Sequence, residues 1–346
     1  MAPGRTRGGG EGCKLSLGDM EKLTSRRRTV SGLALLALYA PACIGQSPPA
    51  RIAFLSSASE KEVSATAAYL RSIMSSVGLV EGKDYVAEFF CSDGHNERFP
   101  ALAQAAVARK PAVIIATTVA SALAAQQATT TIPIVITGVN DPVGTGLVRS
   151  YARPGGNITG TASMAEDFLG KLIELTREVL PGATRVAVLV NPRNASNPPI
   201  LRTFQRLAHT VGVSADALEI SAPEHVDAAL ADLARKRPDA LVTGFDNSHA
   251  HYRSRLAQVA STQGIPIISA DFRYSDADAL ITYSAHRSWF RMPAVYVQKI
   301  LAGANPADLP VQQPASFELL VNTRVADALK LKLPQTVLLR ATRLIE

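Results

Sequence analysis

The chain is predicted to be an α/β protein with two similar doubly wound lobes, each built on a parallel sheet. Three observations carry this reading. Strand-like and helix-like segments alternate from Arg51 onward at the spacing of βαβ units. The strand segments are short, apolar and β-branched, as in strands buried on both faces. The same plan then restarts after Gly156, although no residue-level repeat links the two halves.

In the first half, Arg51-Ile52-Ala53-Phe54-Leu55 is a buried strand that stops in Ser56-Ser57-Ala58-Ser59. A helix beginning near Glu60 carries Ala68, Leu70, Ile73 and Met74 among its apolar positions. Val86 to Phe90 is a second strand, Phe99 to Arg109 a helix, Ala112 to Ala116 a third strand and Ala120 to Ala128 a helix. Ile132 to Ile136 is a fourth strand, closed by Gly138-Val139-Asn140-Asp141-Pro142. Asn and Asp bond their own backbone in turns, and proline blocks strand continuation. Arg153-Pro154-Gly155-Gly156-Asn157 punctuates the chain before the β-prone Ile158-Thr159-Gly160-Thr161.

In the second half, Phe168 to Leu180 is a helix with Leu172, Leu175, Val179 and Leu180 on one stripe. Strands are expected at Val186–Val190, Ala215–Ile220, Ala240–Thr243 and Ile265–Ile268. Helices are expected at Pro199–Val211, Val226–Arg235 and Tyr252–Gln263. The end of the chain breaks this alternation: Ala279–Tyr283 is strand-like, Trp289–Leu301 helical, and Pro-rich residues lead to a strand at Phe317–Asn322.

The first 49 residues form an N-terminal extension and export signal. Ser25-Arg26-Arg27-Arg28 supplies a basic region, Ser31 to Ala40 an apolar one, and Ala40-Pro41-Ala42 the small residues of a cleavage site. The apolar run is too short for a bilayer span of about 20 residues. Met20 would start a leader of ordinary length, and Ser25-Arg26-Arg27 also resembles part of a twin-arginine signal. Cys43 follows Ala42 directly, so lipidation at Cys43 and cleavage to a soluble protein are both open. Residues 1–43 hold seven Lys/Arg against three Asp/Glu, +4 of the chain's net +7, so the remainder at +3 gives no argument for nucleic acid.

Loops at the carboxyl ends of buried parallel strands are where open α/β sheets bind ligands. The candidates are therefore Ser56 and Ser57 after the first strand, and Thr117, Thr118 and Ser121 after the third. Asn140 and Asp141 follow the fourth, with Asp141 equally suited to shaping its turn. In the second half they are Asn191 and Asn194, Asp246 and Asn247, and Asp271 and Phe272. Hydroxyls and helix N-termini suit a carboxylate, whereas Asp246 or Asp271 suits an ammonium group. Phe272 and Tyr283 would line a side-chain pocket, with core packing as the alternative.

No Gly-x-Ser-x-Gly elbow, His-Glu-x-x-His pair or phosphate loop is present, and no nucleophile has an acid–base partner at supporting spacing. His249 and His251, two residues apart, do not face a common metal. The expectation is a binding protein without catalysis or cofactor.

Asp141-Pro142-Val143-Gly144-Thr145-Gly146-Leu147-Val148 and Ala152-Arg153-Pro154-Gly155-Gly156-Asn157, continuing through Thr159-Gly160, closely resemble a segment of the ABC-transporter substrate-binding family that includes tryptophan and tyrosine binders. Asp308-Leu309-Pro310-Val311-Gln312-Gln313-Pro314 and Phe317 to Asn322 agree with it. The resemblance implies a type I periplasmic-binding-protein fold in which the chain crosses between lobes three times, near Gly156–Thr161, Tyr283–Ser288 and Pro310–Ser316. The implied lobes are residues 50–157 with 286–312, and residues 158–285 with 313–346.

It further implies an exported, monomeric solute-binding component of an importer. Such a protein closes on a small ligand, with an aromatic amino acid favoured by the resemblance, and delivers it to separate permease and ATPase chains. Membrane contact would be through the permease or a lipid on Cys43. A ligand-binding partner of a membrane sensor, or a secreted α/β enzyme, are the alternatives. Mass spectrometry of envelope material should find the leader removed and a mature start between Cys43 and Gln46; a lipid on Cys43 would show anchoring, and an intact leader would overturn the export reading.

Overall fold

The computed structural model describes residues 48–59, 63–275 and 279–346. The expected export signal, Met20, Cys43 and the expected helix start near Glu60 lie outside the described residues. The first sheet has five parallel strands in the order β2-β1-β3-β4-β5: β1 (Ala50–Ser56), β2 (Tyr85–Cys91), β3 (Val113–Ala116), β4 (Ile134–Asn140) and β5 (Ile158–Ser163). Successive residues of a strand face opposite sides. Ile52, Phe54, Val113 and Ile115 thus pack with α1 (Val63–Ser75) and α8 (Met292–Leu301). Ala53, Leu55, Ile114 and Ala116 pack with α2 (Phe99–Ala108) and α3 (Val119–Ala128). Helices on both faces explain why the strand segments are apolar without interruption.

The second sheet has seven strands in the order β12-β11-β10-β9-β8-β6-β7. They are β6 (Arg185–Val190), β7 (Ser214–Glu219), β8 (Ala240–Thr243), β9 (Ile267–Ser269), β10 (Ile281–Ala285), β11 (Phe317–Asn322) and β12 (Arg343–Ile345). α4 (Ala165–Val179) and α5 (Asn197–Thr210) cover one face through Leu172, Leu175, Ile200 and Phe204, packed on Val186, Val188 and Val242. α6 (Val226–Lys236) and α7 (Arg253–Gln263) cover the other through Leu230, Leu233 and Leu256, packed on Leu189, Leu241 and Ile267. Two doubly wound lobes result.

Three features depart from the sequence expectation. β4 does not stop before Gly138: the left-handed φ of +60° at Gly138 permits an irregularity between Ile136 and Val139, and the strand resumes to Asn140. β5 is the edge strand of the first sheet, paired with β4 from Ile134↔Ile158 onward, so the first crossing follows Ser163 rather than Asn157. β10 and β11 are antiparallel in an otherwise parallel sheet. That direction is dictated by the path of the chain, because β10 leaves the second lobe and β11 returns to it.

The later crossings follow Ala285 and Gln312. Gln312 runs beside β5, donating to Gly160 O at 3.0 Å and accepting from Ala162 N–H at 2.9 Å. One aromatic ring from near each crossing meets the other two: Phe168 lies 5.8 Å from Tyr283 and 5.0 Å from Phe317, and Tyr283 lies 5.9 Å from Phe317. Tyr283, expected to line a side-chain pocket, packs in this cluster.

Gly160 sits in β5 with φ +132°, and a Cβ there would lie 2.2 Å from the carbonyl oxygen of Ile136. Backbone cannot yield as a side chain does. Gly160→Ala should therefore cost about 1–3 kcal/mol in denaturant unfolding. Gly212→Ala, at φ +74° with open space around it, isolates the dihedral penalty and should cost less.

Candidate functional site

The loops at the carboxyl ends of the two sheets meet each other. After β1, the Ser57 hydroxyl lies 3.2 Å from His251 Nε2, across the lobes. Asn140, at the end of β4, donates its side-chain amide to Phe245 O at 2.8 Å. In the opposite sense, Asn247 donates to Thr117 O, after β3, at 2.9 Å. On one flank the rings of Phe272 and Phe290 lie 4.1 Å apart. On the other, Glu97 pairs with Arg193 at 3.5 Å, and Gly94 lies against Tyr252 and Pro223.

Several predicted ligand residues are engaged in holding their own loops. The Ser56 hydroxyl accepts from Ala58 N–H at 3.1 Å. Thr118 is the N-cap of α3 and forms a reciprocal capping box with Ser121, whose side chain is wholly buried. Thr117 donates its hydroxyl to Leu55 O at 3.2 Å. The hydroxyls of this loop thus stabilise the helix start, and the first-turn N–H of Ser121 is taken by Thr118 Oγ1. Asp141 is exposed at φ +38°, and its carboxylate accepts from Gly144 N–H at 2.7 Å, which makes it a turn residue. Asn191 accepts from Arg193 N–H at 3.0 Å in the same manner.

The two candidate aspartates differ in charge balance. Asp271 is neutralised: Arg273 contacts both of its oxygens, with Nη2 at 2.7 Å. Burial alone would lower the Arg273 guanidinium, but the Asp271 carboxylate more than offsets this and raises it. Asp246 accepts from Ser248 N–H at 2.8 Å, Ser248 Oγ at 2.7 Å and Asn194 Nδ2 at 2.8 Å. It is 6% exposed, and among the described residues no basic side chain pairs with it. Asn194 is itself held, accepting from Ser196 N–H and Oγ. A buried carboxylate bonded only by neutral donors is electrostatically suited to a cation.

Among the described residues no helix is long and apolar enough to cross a membrane, and no group of three or more His, Cys, Asp or Glu side chains is placed to hold a metal. His249 and His251 diverge: His249 Nε2 meets Ile220 O at 2.8 Å, whereas His251 faces Ser57.

The profile of the family described as ABC transporter substrate binding protein matches residues 57–345. The chain belongs to that family. It is 27% identical over 261 residues to the tyrosine-binding protein of Clostridioides difficile strain R20291, covering 74% of this chain and 73% of that protein. A conserved domain protein from Vibrio cholerae superposes with a TM-score of 0.76 at 27% identity, over 85% of this chain and 99% of that one. The ABC domain of Streptococcus pneumoniae in complex with L-Trp superposes with the same TM-score of 0.76 at 19% identity, over 86% and 100% of the two chains, and shows the shared fold. The role of this substrate-binding protein is to hold a small molecule, without bond chemistry.

Sequence reasoning missed His251, Arg273, Phe290 and Gly94 in this substrate-binding protein. Arg273 had a local signal, lying two residues after Asp271. The rest become cleft residues only because a second lobe packs on them. A Cβ on Gly94, at φ +78°, would lie 2.7 Å from Tyr252 Oη and 3.0 Å from Pro223. Gly94→Ala, strained at this φ and obliging Tyr252 and Pro223 to shift, should weaken ligand binding by up to roughly tenfold, the order of one lost cross-lobe contact. Gly78→Ala, at φ +81° with nothing within 4 Å, should bind as the parent in calorimetry.

Proposed function

We propose that this chain is the exported solute-binding component of an ABC importer and that it takes an amino acid, with an aromatic side chain favoured, between its lobes. The observation that carries the reading is Asp246. Among the described residues this buried carboxylate has no basic partner, and the residues on both sides of it touch the first lobe through Phe245 O and Asn247. An α-ammonium group would supply the missing charge, and the α3 N-terminus beside Thr117 would receive the α-carboxylate. Asp271, already paired with Arg273, is the weaker candidate for that ammonium.

Aromatic specificity is supported by the tyrosine-binding relative, by the L-Trp-bound fold neighbour and by the Phe272–Phe290 pair. Contacts from both lobes favour the closed form, and only such differential contacts drive closure. Permease and ATPase are separate chains in this reading, and the mature protein acts outside the cytoplasmic membrane.

Calorimetry with L-tyrosine and L-tryptophan tests the assignment. Losing one charge-assisted hydrogen bond costs about 1.5–3 kcal/mol, so Asp246→Asn should weaken binding roughly 10- to 150-fold. Asp216→Asn, at an exposed position of β7, should have no effect. Equal binding by the Asp246 variant and this control would remove the ammonium site. Binding of amine-free aromatic acids in preference to both amino acids would remove the ligand class.

A further inference from the structure

Two asparagines, one in each lobe, are arranged as mirror images about Asp246. Asn140 of the first lobe donates its amide N–H to Phe245 O, and Asn247 of the second donates to Thr117 O, at 2.8 and 2.9 Å. Phe245 and Asn247 are the immediate neighbours of Asp246, so the segment is joined to the first lobe on both sides of the carboxylate. Phe245 O also receives Asn197 Nδ2 at 2.9 Å from its own lobe, which fixes the carbonyl that Asn140 reaches.

Each asparagine is also anchored at its other end within its own lobe. The Asn140 Oδ1 atom accepts from the Ser163 hydroxyl, at the first crossing. The Asn247 Oδ1 atom accepts from Arg273 Nη2 at 3.1 Å, and Arg273 is held in turn by Asp271. A guanidinium can only donate and a backbone carbonyl can only accept, so the orientation of the Asn247 amide is chemically determined. In both cases the oxygen end is held at home and the nitrogen end is presented to the opposite lobe.

We propose that Asn140 and Asn247 form a reciprocal clamp that stabilises the closed arrangement of the lobes and positions Asp246 against the Thr117 loop, without themselves contacting the ligand. The inference rests on the reading that a ligand sits between the lobes. It adds a distinct claim: the clamp contributes to closure in the ligand-free protein as well. A ligand that binds the closed form has an apparent affinity set by how much of that form is populated, so the clamp raises affinity through the closing equilibrium.

The discriminating variants are Asn140→Asp and Asn247→Asp. They are isosteric and keep the oxygen held by Ser163 or Arg273, but they turn a second oxygen toward the opposite carbonyl. With L-tyrosine or L-tryptophan as probe, calorimetry should show Kd raised roughly tenfold or more. Asn140→Ala and Asn247→Ala, which remove the amide without adding charge, should act in the same direction by a smaller factor and serve if an Asp variant does not fold. An unchanged Kd would overturn the clamp.

If the parent protein binds neither amino acid, the ligand reading fails and the clamp is still decided. Single-molecule energy transfer between dyes on the two lobes of the ligand-free protein should show a closed fraction that falls in each variant. The same closed fraction in parent and variants would overturn it.

Discussion

Every cross-lobe contact described above is made by loops that follow strands. Ser57, Gly94, Glu97, Thr117 and Asn140 follow or end strands of the first sheet. Arg193, Pro223, Phe245, Asn247, His251, Tyr252 and Phe272 follow strands of the second, and Phe290 lies just past β10. The constraint behind this is parallel pairing. Parallel strands need helical crossovers on the sheet faces, so the strand-to-helix loops are left together at the carboxyl edge of the sheet. Two such edges facing each other form a cleft with polar loops on both sides.

That arrangement sets the electrostatics of the cleft. The loops are short and turn-forming, so most of their hydroxyls and amides are consumed locally, in the Thr118–Ser121 capping box, the Asp141 turn and the Asn194 turn. Among the described residues Asp246 differs from these, because Ser248 and Asn194 bond its oxygens without supplying a charge. Asp271 has the same burial and the same position past a strand, yet Arg273 folds back on it and closes the account.

Near the passages between lobes, β5 runs beside Gln312, β10 pairs with β11, and Phe168, Tyr283 and Phe317 pack together. The cluster brings residues from near all three passages into mutual contact.

The sequence alone determined the α/β class, the two-lobe plan, most strand positions and the candidate loops. Those features depend on local facts: β-branched apolar runs fit strands covered on both faces, and Ser, Asn, Asp and Pro end them. The prolongation of β4 through Gly138 was less legible, because a glycine between apolar residues permits both a turn and a bulge. β12 escaped notice because three residues carry too little pattern. Tertiary structure alone decided that Ile158 to Ser163 completes the first sheet, that Tyr283 belongs with Phe168 and Phe317, and that Asn140 and Asn247 reach across to backbone carbonyls. It also separated Asp246 from Asp271, which look equivalent in sequence. The reason is that each of these outcomes depends on groups brought together by packing or lobe docking, and on which hydrogen bonds remain unmade after the local ones have formed.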